Sequence, residues 1–240
     1  MRIIRTIFLL LLIFCGCSAP DKYDVLVKNG QIFDGSGSPS YVGDVGINAD
    51  TIAKIGNLKN AIGQIEINAT GLAVAPGFIN MLSWANESLI ADGRSQSDIR
   101  QGVTLEVLGE GESMGPLNSK MKKDMKDAQG DIKYSIEWTT LGEYLDYMEK
   151  KGVSCNIASF LGSATLRIYT IGYEDRVPTE TEMDSMRYLV RQAMEEGALG
   201  ISSALEYVPA CFAKPAELCR RFAPRLQISR CFGHGCFPAF

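Results

Sequence analysis

Between residues 23 and 74, apolar and polar positions follow the short period that is typical of β-strands. The stretch "YDVLVKNGQIFDGSG" contains two β-rich runs joined by Asn29-Gly30, a dipeptide that favours a hairpin turn. The stretch "DVGINADTIAKIGNL" repeats this arrangement with a turn at residues 48–50. The pattern predicts a small β-domain over residues 22–75, built from short strands like a sandwich.

After Pro76 the pattern changes to short apolar runs that alternate with amphipathic segments. Four apolar runs predict strands: "GFINML", "VTLEVLGEG", "SCNIASFLG" and "ALGISSALEY". "SQSDIRQG" predicts a short helix capped by Ser95, and the charged "MKKDMKDAQGDIKY" is typical of a solvated loop or an irregular helix. Two longer helices are predicted to begin with capping boxes, one at Thr140 and Glu143 and one at Thr179 and Glu182.

Strands that alternate with helices predict βα units around a parallel sheet, which places the chain in the α/β class. Four such units are half of an eight-unit TIM barrel, a fold that takes roughly 250 residues. We therefore expect a partial barrel over residues 76–218, in which the inward-facing Phe78, Val107 and Ile157 lack half of their core. Because open sheet edges and exposed apolar surface favour association, we expect this chain to be aggregated or rapidly degraded.

The first 17 residues combine the features of an export signal. Two arginines precede an apolar run at residues 7–14, which is shorter than the roughly 20 residues that span a bilayer. Small residues then lead to Cys17, at the position of the lipid-modified cysteine of bacterial lipoproteins. The alternative, a buried N-terminal helix, has no polar face to support it. We predict a lipoprotein signal peptide over residues 1–17 and an exported protein anchored to the membrane through Cys17.

Composition narrows the class of partner. The chain is 46% hydrophobic and 22% charged with a net charge of −4, which is typical of a globular protein and gives no support to nucleic-acid binding. A small molecule is the expected partner. Seven cysteines in an exported protein raise the question of disulfides, but their spacing follows no framework pattern. Cys155, in an apolar strand, is predicted to be a small buried hydrophobe.

The end of the chain departs from this organisation. The segment "CRRFAPRLQISRCFGHGCFPAF" breaks a helix that Pro215 opens well, and all of its charges are arginines. We expect residues 219–240 to be an irregular tail translated out of frame. The alternative is a small zinc knuckle, whose ligand spacing is not a usual one for structural zinc. Its ligands are Cys231, His234 and Cys236, with or without Cys219.

The order of several stretches resembles a known family. "YDVLVKNGQIFDGSGSPSYVGDVGINADTIAKIGNL" followed by "INATGLAVAPGFIN" resembles the entry to the amidohydrolase superfamily. "QGVTLEVLGEG", "YLDYMEKKGVSCNIASFLGSATLR" and "MEEGALGISSALEYVPACFA" narrow the resemblance to the D-aminoacylase (N-acyl-D-amino-acid deacylase) branch. The resemblance covers about Tyr23 to Leu218.

This resemblance implies a fold and an activity. It implies a (β/α)8 barrel flanked by a small β-domain, of which this chain has the N-terminal half. It also implies a zinc enzyme that hydrolyses the amide bond of N-acyl-D-amino acids. In such an enzyme, metal-activated water attacks the acyl carbon, the metal polarises the carbonyl oxygen, and an aspartate from a late strand moves the proton.

When the family's metal ligands are matched to this chain residue by residue, the best known of them are absent from the matching positions. The His-x-His pair of the first strand falls on Leu82 and Trp84, neither of which binds a cation. The bridging cysteine falls on Gly111, and its neighbour Glu110 is a candidate ligand in its place, since a carboxylate binds zinc. The alternative for Glu110 is a solvated loop residue. Zinc is the cofactor that the resemblance implies, whereas these losses predict that the 240-residue chain holds no stoichiometric zinc.

Four further positions are candidates for a role in or near the site. Ser163 stands at a position that is commonly histidine. Arg167 either supports the loop there, which is the favoured role, or contacts substrate. Glu206 and Tyr207 end the fourth predicted strand on the functional face of a parallel barrel, with packing as the alternative, and Tyr207 is a candidate substrate-binding residue. The chain's one histidine, His234, lies outside the resemblance.

Two functions are compatible with these patterns. The first is an exported, lipid-anchored hydrolase acting on N-acyl-D-amino acids, of which this chain is an incomplete and inactive form. The second is a non-catalytic exported lipoprotein of the same fold that acts as a binding or scaffold protein. Late metal-ligand histidines and an aspartate would distinguish the first function from the second.

Overall fold

The computed structural model describes residues 20–219, which divide into two compact units at Pro76 and Gly77. The predicted signal peptide with Cys17 lies outside the described residues, as does the tail beyond Cys219 with His234. Between residues 20 and 219, the helices are all too short or too polar to cross a membrane.

The first unit is built around one mixed sheet. Its strands are β1 (Lys22–Ile32), β2 (Tyr41–Asn48), β3 (Thr51–Gly56), β4 (Ile62–Asn68) and β5 (Ala73–Val74). The order is β3-β2-β1-β4, with β5 beside the end of β1. β2 is antiparallel to β1 and to β3, whereas β4 and β5 are parallel to β1. The strands form one sheet rather than a sandwich because the 11-residue β1 pairs along both of its edges.

The Asn29-Gly30 dipeptide does not form the predicted hairpin. β1 continues through it, and the register with β2 shifts between Val27 and Gly30, which marks a bulge. Asn29 adopts the left-handed conformation (φ 60°), and its backbone N–H donates to Asp44 Oδ1 at 2.8 Å. A bulge and a hairpin turn both need a residue that tolerates positive φ, so the same dipeptide serves either. The second predicted turn is confirmed, since Ala49 (φ 52°) connects β2 to β3.

The second unit alternates strands and helices, which confirms the α/β class. Its strands are β6 (Phe78–Asn80), β7 (Val103–Leu108), β8 (Asn156–Ser159), β9 (Leu161–Gly162) and β10 (Ile201–Ser202). Its helices are α1 (Asn86–Ala91), α2 (Gln96–Ile99), α3 (Ser119–Ala128), α4 (Leu141–Lys151), α5 (Ser163–Thr170) and α6 (Glu180–Glu195). β6, β7 and β8 form a parallel sheet in that order, and β9 pairs in parallel with β10.

Both predicted capping boxes are present, at the start of α4 and of α6. Each Thr side chain accepts from the backbone N–H of a Glu three residues on, and that Glu accepts from the Thr backbone in return. The apolar faces of the two helices enter one core together with Leu108, Leu161 and Ile201 of the strands. The buried helix residues are Leu141, Tyr144 and Met148 of α4 and Met183, Met186, Val190 and Met194 of α6.

Several local predictions differ from the structure. The charged segment after residue 118 forms the regular helix α3, because the Asn118 side chain accepts from the Met121 backbone N–H at 2.9 Å and caps it. Ser95 precedes α2 but makes no side-chain cap, since its hydroxyl donates to Asp98. β10 is only two residues long, so Glu206 and Tyr207 lie in turns beyond it rather than at the end of a long strand.

Candidate active site

A tight turn follows β7 and carries Glu110. The flanking glycines have positive φ, 89° at Gly109 and 68° at Gly111, which lets the chain reverse there. Ser202 of β10 closes this turn, because its hydroxyl donates to the Gly109 carbonyl and accepts from the Gly111 N–H at 3.0 Å. The Ala164 N–H donates to the Gly111 carbonyl at 2.9 Å. The turn is thus held from two neighbouring elements, with Glu110 at its tip.

Position 111 has no room for a side chain. A Cβ atom added to Gly111 lies 2.8 Å from the Cβ of Ala204, and the backbone is in the left-handed region. Both features disfavour any residue larger than glycine. The position to which the resemblance assigns a bridging cysteine is therefore closed in this chain.

Hydrogen bonds tie the next part of the turn to α5. The Ser113 N–H donates to Thr165 Oγ1 at 2.8 Å, and the Ser113 hydroxyl accepts from the Gly162 N–H at 3.0 Å. Ser163, which is 1% exposed, has its hydroxyl 3.0 Å from that of Ser203. The residue at the family's histidine position is thus enclosed between β10 and the start of α5.

A cleft of about 310 Å³ opens beside Glu110. Its lining residues are Trp84, Glu110, Gly111, Glu112, Ala164, Ala204 and Tyr207. We call it the Glu110 cleft. Trp84 is 67% exposed and Tyr207 63% exposed, so both project toward solvent. The structure thus brings the predicted candidates Glu110 and Tyr207 to one cleft, and Glu206 is not among its lining residues.

The two carboxylates of the cleft have different surroundings. Glu110 is half-buried, and in the described part of the chain its side chain forms no hydrogen bond or ion pair. Loss of hydration raises the pKa of Glu112 above its ordinary value.

Arg167 lies away from the Glu110 cleft and is completely buried. Its Nη1 donates to both oxygens of Glu217 at 2.9 Å. Its Nη2 donates to the carbonyls of Glu174 (3.0 Å) and Arg176 (2.6 Å), in the segment that links α5 to α6. All of these partners belong to the protein, and this arrangement favours the loop-supporting role over contact with substrate.

The residues of the cleft do not fit a zinc ion. Zinc sites take three or four Cys, His, Asp or Glu ligands, and no group of three such side chains within residues 20–219 is placed to hold a metal. Leu82 and Trp84 have no ligand atoms suited to a cation, and Gly111 has no side chain. Glu110 and Glu112 supply carboxylates without a third partner. The described residues therefore support no step through a bound metal.

No pattern in the sequence indicates the role of Ser202. Its hydroxyl joins two glycine backbones that precede it by more than 90 positions, and serine is common in many strands. The turn itself can be predicted from the sequence, because a carboxylate between two glycines, Gly109 and Gly111, indicates a turn of unusual backbone geometry.

The known proteins to which this chain is similar include D-aminoacylase and a related deacylase. No family model matches the chain. The chain is 34% identical to D-aminoacylase of Alcaligenes xylosoxydans xylosoxydans over 205 residues, which cover 84% of this chain and 42% of that protein. The chain thus spans about two fifths of the length of that relative.

Two solved structures are similar in fold. One is D-aminoacylase, described as defining a novel subset of amidohydrolases, with a TM-score of 0.75 and 29% identity over 86% of this chain and 44% of that one. The other is N-acyl-D-glutamate deacylase from Bordetella bronchiseptica, solved with zinc and a phosphonate inhibitor. It has a TM-score of 0.74 and 26% identity over 86% of this chain and 44% of that one.

Proposed function

We propose that this chain, a homologue of D-aminoacylase and the N-acyl-D-amino-acid deacylases, belongs to an amidohydrolase that cleaves the amide bond of N-acyl-D-amino acids. The bond cleaved is a carbon–nitrogen bond other than a peptide bond. The observation that carries this proposal is the 34% identity that extends over 84% of the chain. Because the named relatives are hydrolases, an enzyme is favoured over a non-catalytic binding or scaffold protein.

The second unit is proposed to be the first part of a (β/α)8 barrel. Its parallel strands β6, β7 and β8 occur in chain order, as consecutive barrel strands do. The Glu110 turn follows the carboxyl end of β7, and active sites of such barrels lie at the carboxyl ends of the strands. This placement supports the Glu110 cleft as one wall of the active site.

Within this wall we assign roles to two side chains. The Glu110 carboxylate accepts a hydrogen bond from water or from the substrate amide at the tip of its turn. The exposed Tyr207 hydroxyl donates to an oxygen of the acyl-amino acid. The metal-activated water that the resemblance implies needs ligands that the described residues do not bring together. We also propose that the protein is exported and is anchored to the membrane through a lipid on Cys17.

A chimeric enzyme tests this function. Residues 20–218 replace the matching segment of the Alcaligenes D-aminoacylase, and release of free amino acid is measured from N-acetyl-D- and N-acetyl-L-amino acids. We expect hydrolysis of the D-enantiomers only, and a decrease on Glu110→Gln. Glu195→Gln, on the exposed end of α6, is the matched control and should have no effect. A soluble, zinc-loaded chimera that hydrolyses neither enantiomer would contradict the proposal.

A further inference from the structure

A second cavity of about 310 Å³ adjoins the Glu110 cleft. It lies among the segment after β7 and helices α1, α3 and α5, and it shares Trp84 and Glu112 with the cleft. We call it the methionine cavity. Its apolar lining, which we call the floor, consists of Met114, Leu117, Met121, Met125 and Ile168, beside the neutral polar residues Asn86, Ser113 and Thr165. Its rim carries Trp84, Glu87, Glu112, Asp124 and Tyr173.

The floor is apolar and adaptable. Met114 is 7% exposed, Leu117 1% and Met121 8%, so these side chains belong to the core and present only part of their surface to the cavity. Met121 and Met125 are four residues apart on α3 and share one face of that helix. Unbranched thioether side chains change rotamer readily and fit irregular hydrocarbon groups. Such a floor suits an alkyl chain.

The rim is anionic. Glu112 forms no ion pair in the described part of the chain, and Glu87 accepts from the neutral hydroxyl of Tyr134 at 2.9 Å, so both charges remain uncompensated. Asp124 is paired with Lys120, whose side chain is 78% exposed. No lysine or arginine of residues 20–219 lines the cavity. Burial raises the pKa of Tyr173, the charges of Glu112 and Asp124 raise it further, and Lys120 opposes them.

Two aromatic side chains complete the rim. Trp84 is 67% exposed and Tyr173 58% exposed, so their rings are accessible to a ligand. Indole and phenol faces attract organic cations, most strongly where water is partly excluded. An anion at this rim would be repelled by three carboxylates, whereas a neutral donor would gain a hydrogen bond but no attraction between opposite charges.

We propose that the methionine cavity binds a small organic monocation with an apolar body, of the alkylammonium type. The alkyl chain lies on the floor of methionines, and the ammonium group lies among the rim carboxylates and rings. A volume of about 310 Å³ is at the lower end for ligand pockets, which indicates a short chain. The apolar floor, the aromatic rings and the carboxylates together determine which class of ligand fits the cavity. The proposal does not depend on the function of the Glu110 cleft.

Fluorescence titration of the dilute 240-residue chain, in which Trp84 lines the cavity, tests this proposal. The probes are n-hexylammonium chloride, n-hexanol and sodium hexanoate, at pH 7.5 and equal ionic strength. We expect saturable binding of hexylammonium, weaker binding of hexanol and no binding of hexanoate. Glu112→Gln should weaken hexylammonium binding by roughly two- to fivefold, the range for one partly exposed charge pair, and should leave hexanol binding unchanged. Glu195→Gln, at an exposed site outside the cavity, is the matched control.

Near-ultraviolet circular dichroism of the buried Trp138 verifies that each variant is folded. Equal affinity for hexanol and hexylammonium would overturn the proposal, because the cavity would then be merely hydrophobic. Absence of saturable hexylammonium binding would also overturn it. Calcium or zinc chloride provides a further arm. If either ion binds in a Glu112-dependent manner while hexylammonium does not, the site belongs to an inorganic cation and the proposal is wrong.

Discussion

The buried ion pair between Arg167 and Glu217 gives the sharpest stability prediction. The Arg167 side chain is 0% exposed and that of Glu217 2% exposed, so neither charge has access to bulk water. Replacing Glu217 by Ala leaves a buried guanidinium without its carboxylate. Breaking a buried pair by removing one partner costs about 3–5 kcal/mol, much more than an exposed pair contributes. The expected loss of stability is of that size.

For a chain of this length, about 1 kcal/mol shifts the melting temperature by roughly 2–4 °C, so Glu217→Ala should lower it by roughly 6–20 °C. Arg167→Met should be similarly destabilising, because it also removes the donors to the carbonyls of Glu174 and Arg176. The double variant Arg167→Met with Glu217→Leu should recover part of the loss, since no buried charge remains. The two carbonyls still lack their donor, so recovery is incomplete.

Urea unfolding of dilute protein, followed by the fluorescence of the buried Trp138, measures these changes. Asp184→Asn is the matched control, because it removes the carboxylate of an ion pair with Arg187 in which Asp184 is 69% exposed. This control should change the free energy of unfolding by less than about 1 kcal/mol. If Glu217→Ala costs no more than Asp184→Asn, or if the double variant is no more stable than Glu217→Ala, the reasoning about the buried pair is wrong.

Four further predictions follow from particular residues. Elemental analysis of the purified 240-residue chain should find no stoichiometric zinc, and one tightly bound zinc that is lost on Glu110→Ala would make Glu110 a ligand. Cys17→Ser should release the protein from the membrane fraction and Cys15→Ser should not, so equal retention of both variants argues against the lipid anchor. Gly111→Ala should destabilise the fold by roughly 1–3 kcal/mol through the strained φ and the contact with Ala204, and Ala204→Gly should relieve only the contact. Light scattering should show that the chain expressed from Ser18 self-associates as its concentration is raised, and a product that stays monodisperse would contradict this.

The helices show which parts of the fold can be predicted from sequence. α4 and α6 are local structures whose capping boxes, apolar faces and terminal glycines all lie within a short window, and both were predictable. The segment of α3 is predicted only as a solvated loop or an irregular helix, because most of its residues are charged and Met121 is its one buried residue. α1 and α5 were missed because they are short and begin without a side-chain cap.

The strands show which parts of the fold cannot be predicted from a local stretch of sequence. A β-bulge and a hairpin turn demand the same backbone conformation, so Asn29-Gly30 alone does not distinguish them. The choice is made by the pairing of β1 with β2 on one side and β4 on the other, which joins residues far apart in the chain. Of the residues expected to face inward, Val107 is 3% exposed, whereas Phe78 is 64% exposed. This exposure is consistent with the predicted self-association.

The sequence places Glu110 and Tyr207 among the candidate site residues, but it does not predict how the cleft around them is built. Glu110 and Tyr207 were expected at the ends of different strands, and they do line one cleft. What positions them is a set of contacts between distant segments: the Ser202 hydroxyl across the Gly109–Gly111 turn, and Ala204 against Gly111. These contacts change the meaning of the substitution at position 111. At the position to which the resemblance assigns a cysteine, the turn packs so closely on Ala204 that adding a side chain requires the opposite wall to move.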